Sequence, residues 1–528
     1  MADLDIEVRD HLVVVGSNAV GKSTVLRLLD LLLGASWSQL FASLDQAQLR
    51  DPASPLVVEA RLEGLDDDDK AHFAAKAEVG TGPATGETWL TVRLVAGVST
   101  IDSDRLEITR SFVKPLVEDA PVTRDDLARL GWAYLPATRS PDRELGAGRA
   151  SAVRTLLQAV ALSDAESSSI DEALATLTAA LTTSQALSRL REDLARELTS
   201  VYPSAVSKDD IVVDLPTSTA AEPLGDVDIQ MVRAGVKSPL TAQSDGLRSL
   251  AVIAVQLLAT RTARMLAIDE PEIHLHMRGQ ANLARLLATA PGQRVVATHA
   301  PAVLAEFQPS QTLALASAGA RQLTGPVFAG NPKNLQHWWV DSALEPLTAD
   351  RLILVEGISD RILVRTVARH LKIDLDRLGI SVVAVHGAGG FKAAIELFGP
   401  SGFGIPTFGL VDENEASIPA DALNIGVADL ASNGFVTCVA DLEEEYVAAI
   451  GVSGVVQMLT GSGLFTEAGL VHATGAADVA SITPERLREK VLKKYKVEAA
   501  TALGEQMAPA QANALTKAVN LVQSAAAP

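Results

Sequence analysis

Residues 16–24 read Gly-Ser-Asn-Ala-Val-Gly-Lys-Ser-Thr, between the apolar run Leu12-Val13-Val14-Val15 and the run Val25-Leu26-Arg27-Leu28-Leu29. Strand, glycine-rich loop and helix follow one another within a single stretch, and that context turns a short pattern into a mechanism. Gly16 and Gly21 let backbone N–H groups turn inward around an anion, and the helix N-terminus adds a favourable dipole. Lys22 is placed to reach the β- and γ-phosphates, and the Ser23 hydroxyl to hold Mg²⁺, with Asn18 and Thr24 completing the cradle. The chain is expected to bind a nucleoside triphosphate with Mg²⁺, within an α/β fold.

At 528 residues the chain is too long for one hydrophobic core, so several domains are expected. Its 48 % hydrophobic and 21 % charged content is that of a folded globular protein. The single cysteine, Cys438, excludes an internal disulfide and a thiolate metal cluster, and fits a reducing, cytoplasmic setting. No signal peptide is expected, because the N-terminus is acidic. The longest apolar run, near residues 250–259, is too short to span a bilayer, so no membrane partner is expected. The net charge of −20 argues against indiscriminate nucleic-acid binding, yet a local basic groove or bound metal ions can offset it.

The texture of the sequence divides the chain. Residues 1–150 carry the loop and then strand-like runs at 55–62, 88–94 and 132–135. Between the first two runs, Asp66-Asp67-Asp68-Asp69 reads as a solvated turn. Residues 151–203 turn helical, with Ile170, Leu174, Leu177, Leu181, Leu187, Leu190, Leu194, Leu198 and Val201 at spacings of three and four. This helical insertion either packs on its own domain or serves as a dimer arm, since a periodic face does not identify its partner. Residues 204–335 return to mixed structure, and residues 331–347 read as a linker of which the part at Trp338-Trp339 is expected to pack. A second α/β alternation fills 345–528, its Ala-rich tail after Ala508 expected to be a short helix with a frayed end.

Three signals answer the phosphate loop. Met265-Leu266-Ala267-Ile268-Asp269-Glu270 is an apolar strand closed by two carboxylates, the first suited to Mg²⁺ and the second to polarising water. Val295-Val296-Ala297-Thr298-His299 is a strand ending in a histidine suited to sensing the γ-phosphate. Ser244-Asp245-Gly246 opens an apolar helix. In this order they resemble the ABC-type ATPase head. The resemblance implies that Asp269 is the Walker B aspartate, Glu270 the catalytic glutamate and His299 the switch histidine. It implies too that Ser244 and Gly246 belong to a signature motif meeting ATP held by a second protomer, hence a homodimer. The glutamine of such heads stays open among Gln39, Gln46 and Gln48.

In the second half, Arg351-Leu352-Ile353-Leu354-Val355 ends in Glu356-Gly357-Ile358-Ser359-Asp360, and Thr407-Phe408-Gly409-Leu410-Val411 ends in Asp412-Glu413-Asn414-Glu415. A further strand, 380–385, is closed by His386-Gly387-Ala388-Gly389-Gly390. In a parallel sheet, acids at the carboxyl ends of neighbouring strands converge on one crevice, and such oxygen ligands suit Mg²⁺ or Mn²⁺, as a pair acting on a phosphodiester. This arrangement resembles a Toprim domain with a parallel sheet. An ABC head with a helical insertion followed by Toprim resembles the OLD (overcoming lysogenization defect) family of ATP-dependent nucleases. The resemblance implies metal ligation by Glu356, Asp360 and Asp412, with Asn414 standing where the family's second Asp would be. Its neutral carbonyl offers less to a cation, and Glu413 or Glu415 could compensate. Glu443, in Asp441-Leu442-Glu443-Glu444-Glu445-Tyr446, is the expected further ligand, and Lys496 the expected lysine for transition-state charge, chosen over Lys493 and Lys494.

The function so implied is an ATP-regulated, metal-dependent DNA endonuclease in antiphage defence or DNA repair, with a helicase-like protein as an open partner. The alternative is an ATP-gated DNA-binding clamp whose Toprim domain is catalytically weak, motivated by Asn414. No tyrosine context suits strand passage.

Overall fold

The computed structural model describes residues 3–79, 87–99, 105–114, 119–137, 164–202, 204–214, 228–233, 235–239, 242–248, 250–251, 253, 264–317, 319–323, 325–328, 331–438 and 441–527. The chain divides into two compact units. One comprises residues Glu7–Val14 and Gly21–Phe307. The other comprises Val15–Val20 and Gln308–Pro528 with a short N-terminal lead.

The first unit is built on parallel strands whose near-continuous apolar runs suit burial on both faces. Strand β1 (His11–Gly16) leads into helix α1 (Lys22–Leu33). An antiparallel sheet follows, formed by β2 (Leu56–Leu62), β4 (Thr88–Val98), β5 (Leu106–Phe112) and β6 (Ala120–Pro121) in that order. The short β3 (Glu78–Val79) pairs with β4. The inward face of this sheet (Leu90, Val92, Leu94, Ile108, Phe112) packs with Leu31 and Leu32 of α1. Strand β7 (Trp132–Leu135) then rejoins the parallel layer.

Of the insertion expected over 151–203, residues 151–163 and 203 lie outside the described residues. The rest forms α2 (Asp164–Thr183) and α3 (Gln185–Val201). Leu194, Ala195, Leu198 and Val201 of α3 are buried, and Leu194 and Leu198 pack with Val206, Ile211, Met231 and Leu247 of the same unit. This face of α3 is therefore consumed locally. Strands β8 (Ile211–Asp214), β9 (Asp228–Arg233) and β10 (Val236–Pro239) form an antiparallel sheet in the order β10-β9-β8. Strand β11 (Met265–Asp269), helix α4 (Met277–Thr289) and strand β12 (Gln293–Ala297) complete the parallel layer. Its register aligns Val14 with Ala297 and Asp269 with Ala297, so the end of β1 and the acid pair emerge at one edge.

The second unit opens with the hairpin β13 (Thr312–Ala316) and β14 (Gly319–Gln322). The stretch expected to act as a linker packs at the two tryptophans, as their presence suggests. Trp338 and Trp339 are buried, and their rings lie against Phe398 and Phe403. A four-stranded, all-parallel sheet follows, formed by β15 (Arg351–Val355), β16 (Ile380–Ala384), β17 (Thr407–Asp412) and β18 (Phe435–Cys438) in the order β16-β15-β17-β18. Helix α5 (Ile358–His370) follows β15, and α6 (Gly389–Phe398) follows β16. Helices α7 (Leu442–Ile450), α8 (Lys496–Gln506) and α9 (Thr516–Ala526) close one face.

The Ala-rich tail is helical, as expected, but its end is packed rather than frayed. Leu521, Val522 and Ala525 are fully buried against the sheet core, and Arg351 donates to the Ala525 carbonyl at 2.7 Å. Small apolar side chains let α9 approach closely, and the buried area outweighs the weak sequence signal.

Among the described residues, no helix is long and apolar enough to cross a membrane.

Candidate nucleotide site and candidate metal centre

In the first unit, helix α1 starts directly behind the loop. Gly21, its N-cap, takes the left-handed φ of +107°, which glycine adopts without steric cost. Gly16 is held by close approach, since a Cβ there would stand 2.3 Å from the Leu315 carbonyl oxygen. Ser17, Asn18, Ser23 and Thr24 are exposed around the loop, whereas Lys22 is only 5 % exposed. Burial lowers the Lys22 pKa, and Glu270, Asp269 and Glu272 oppose that shift. The loop lysine thus lies in the field of the acids at and just beyond the end of β11, as suits an anion-binding lysine near a magnesium-binding aspartate.

Asp269 is 3 % exposed. Glu270 adopts a left-handed φ of +44°, sparsely populated for a side-chain-bearing residue, while its N–H donates to the Ala297 carbonyl at 2.9 Å. The strained turn brings Glu270 Oε1 to 3.5 Å from His299 Nε2, so the two residues singled out for hydrolysis are neighbours. Glu272, which the sequence pattern did not single out, accepts from the Thr298 hydroxyl at 2.8 Å and from the His299 N–H at 2.6 Å. Ser244 is exposed, and a Cβ on Gly246 would stand 2.9 Å from the His274 carbonyl, so that segment closes tightly on the same turn.

In the second unit, the order β16-β15-β17-β18 sets the carboxyl ends of β15 and β17 side by side. Carboxylate oxygens of Glu356, Asp412 and Glu415 lie within 4.8 Å of one another. Asp412 ends β17 and Glu415 follows across a 3₁₀ turn (Glu413–Glu415), while Asn414 between them is exposed. The third carboxylate of the group is therefore Glu415. Burial and then the neighbouring Glu415 and Asp360 raise the Glu356 pKa. Burial, followed by repulsion from Glu356, Asp360, Asp441 and Glu415, pushes Asp412 up to about 7.

Asp360 lies in the first turn of α5. Its Oδ2 accepts from the Gly357 N–H at 2.7 Å, while burial pushes its pKa up to about 6. Glu443 is 4 % exposed on α7, and Lys496 Nζ lies 3.5 Å from its Oε1. Burial works against the Lys496 charge, but Glu443, Glu356 and Asp360 outweigh it and raise its pKa. Lys493 instead pairs with Asp441 at 3.0 Å and Glu489 at 2.8 Å, and Lys494 lies over the Tyr495 ring. The tie between Gly387 N–H and the Glu356 carbonyl, at 3.0 Å, anchors the loop after β16 to the same crevice.

The donor set fits a divalent cation. It consists of hard carboxylate oxygens only, and Glu415 Oε2 and Glu443 Oε2 are buried without a hydrogen-bond partner. Buried carboxylate oxygens left so cost free energy that a bound cation would offset.

The comparisons with known proteins agree with this division. Residues 347–413 match the family model "Overcoming lysogenization defect protein-like, TOPRIM domain". Residues 151–305 match the model "AAA domain, putative AbiEii toxin, Type IV TA system". The chain thus carries an OLD-like Toprim domain and an AAA-type ATPase domain. No curated protein compared with it matches. Among solved structures, the C-terminal region of the Burkholderia pseudomallei OLD protein is 28 % identical, covering 34 % of this chain and 99 % of that one, with a TM-score of 0.29. The C-terminal region of the Xanthomonas campestris pv. campestris OLD protein is 24 % identical over 34 % and 96 %, with a TM-score of 0.28. The SMC head domain from Thermotoga maritima is 15 % identical over 58 % and 87 %, with a TM-score of 0.30.

Proposed function

We propose that the chain is an ATP-hydrolysing, metal-dependent DNA endonuclease whose ATPase domain regulates phosphodiester cleavage at the Toprim acids, in antiphage defence or DNA repair. The observation that carries this reading is the convergence of Glu356, Asp412 and Glu415 at the carboxyl ends of adjacent parallel strands. Glu356, Asp412 and Glu415 would hold Mg²⁺ or Mn²⁺, with Asp360 and Glu443 beside them. Bound there, such ions supply an activated water and neutralise charge on the phosphodiester. Lys496, held cationic by Glu443, would face the charge that builds on the phosphate.

The charge missing at Asn414 motivates the alternative of an inactive clamp, but Glu415 restores a carboxylate to the group, which favours the nuclease reading. In the ATPase domain, Lys22 would hold the phosphates, Ser23 and Asp269 the Mg²⁺, and Glu270 would polarise water with His299 alongside. Ser244 and Gly246 would serve a second copy of the chain in a homodimer, and the domain limits are those proposed from sequence texture.

Plasmid nicking with Mg²⁺ or Mn²⁺, with and without ATP, tests the proposal. Wild type should cut and Glu356→Ala should not. Equal cutting by both, or none under any nucleotide condition, would sink the nuclease reading. DNA-stimulated ATP turnover lost in Glu270→Gln, without cleavage, would favour the clamp.

A further inference from the structure

Glu272 stands two residues beyond the acid pair of β11, on a turn that the phosphate-loop chemistry does not by itself require. One of its oxygens carries two hydrogen bonds. Thr298 Oγ1 donates to Oε1 at 2.8 Å and the His299 backbone N–H donates to the same oxygen at 2.6 Å. Thr298 is fully buried, and its hydroxyl in turn accepts from the Ala300 N–H at 3.0 Å. Its own N–H donates to the Val14 carbonyl at 3.0 Å, which fixes the end of β12 against β1. Glu272 therefore holds the segment that begins where β12 ends, and that segment carries the imidazole 3.5 Å from Glu270.

The other oxygen is as telling. Glu272 Oε2 is buried and has no hydrogen-bond partner, and Glu272 is among the acids whose field acts on Lys22. The acceptor role falls on Oε1 alone, and a neutral amide oxygen at the same place could accept the same two bonds.

We propose that Glu272 is a positioning residue for ATP hydrolysis. It holds Thr298 and His299 so that the imidazole stays in register with Glu270. The inference rests on the ATPase reading above and adds to it the group that sets the histidine. Of the two charge-assisted bonds to one oxygen, one holds the His299 main chain and the other the Thr298 hydroxyl before it, and misplacement by about 1 Å at such a group can cost about 100-fold in rate.

The test is a double-mutant cycle on steady-state ATP turnover by the full chain. Glu272→Ala should lower kcat by roughly 10- to 100-fold while KM, and the affinity for a non-hydrolysable ATP analogue, stay within about threefold. Glu272→Gln, whose carbonyl can accept both hydrogen bonds, should recover most of kcat. In a His299→Ala background the further change Glu272→Ala should cost less than about twofold, because Glu272 acts through His299.

An equal loss in both backgrounds would overturn the proposal. So would a parallel loss of analogue binding in both Glu272 variants, which would mark direct contact with nucleotide or Mg²⁺. Failure of the ATPase reading looks different: wild type would not turn over ATP, or Glu270→Gln would turn it over as fast as wild type.

Discussion

Asp412 and Glu415 face each other across a single 3₁₀ turn, with carboxylate oxygens within 4.8 Å of each other and of Glu356. With three residues per turn, positions i and i+3 of such a turn eclipse, so Asn414 falls off the line that joins its neighbours. Glu415→Gln should therefore weaken Mn²⁺ binding on the order of 10- to 100-fold, the range seen when groups supporting a metal site are removed. Asn414→Ala should leave it within about threefold. Calorimetric titration with Mn²⁺ distinguishes the two; the reverse ranking would place the metal on Asn414.

The same crowding makes the metal-free protein pH-sensitive. Asp412 is pushed up to about 7 and Asp360 to about 6, both above the ordinary carboxylate range. Protons bind these groups more tightly in the folded chain than in the unfolded one. Their contribution to stability is therefore complete below about pH 4 and is lost as pH rises through 6 and 7. Thermal melts in EDTA should show Asp412→Asn gaining about 1–2 kcal/mol over wild type at pH 8 and little at pH 4.5. Mn²⁺ should stabilise wild type more at pH 8 than at pH 6, since cation and proton compete for the same oxygens. A pH-independent difference between the two proteins would contradict this account.

The aspartate run at 66–69 makes a separate prediction about stability. Asp69 is 1 % exposed, accepts from Arg129 Nε at 2.8 Å and is bonded by Arg264, while Arg264 also reaches Asp66 at 2.8 Å. Asp66 and Asp69 form a capping box at the start of the short helix Asp67–His72. Asp66, Asp67 and Asp68 are exposed, as a solvated run should be, but buried Asp69 makes the run a helix start that fastens the residue just before β11. Arg129→Met together with Arg264→Met leaves Asp69 buried without its partners, and should cost about 3–5 kcal/mol in urea unfolding. Asp67→Asn, on the exposed side, should cost less than about 0.5 kcal/mol.

How far the sequence spoke depended on whether a signal was local. The strand–loop–helix around Lys22, the acid-ended strands at Asp269 and Glu356, and the parallel alternation after Arg351 are each written within about a dozen residues, where hydrophobic period and glycine placement suffice. The features that escaped join distant residues. Asp69 meets Arg264, Glu272 meets Thr298, and the Ala-rich helix α9 meets the β15 sheet. No periodicity in one segment encodes the partner waiting in another. The compensating acid stayed open between Glu413 and Glu415 for another reason, since strand alternation gives no warning that the chain turns into a 3₁₀ helix directly after Asp412.

The proposed action on DNA by a chain of net charge −20 requires a local cationic track, and α5 offers a candidate. Arg361, Arg365 and Arg369 recur every four residues on its exposed side, while Leu363, Val364 and Val367 are buried. Among the described residues none of the three arginines makes an ion pair. The stripe runs for about 12 Å and begins one residue beyond Asp360. Side chains about 6 Å apart along a helix match the order of spacing of successive phosphates on one strand. If all three neutralise phosphates, replacing them together by Gln should make the slope of log K against log salt shallower by about 2.7, at about 0.9 for each phosphate no longer neutralised. Because the arginines lie on the exposed side of α5, ATP turnover without DNA and Mn²⁺ affinity should not change. Binding of a fluorescent duplex across a salt series reads the slope directly. An unchanged slope would remove the stripe from the DNA path, and a fall in Mn²⁺ affinity would show that it serves the metal centre instead.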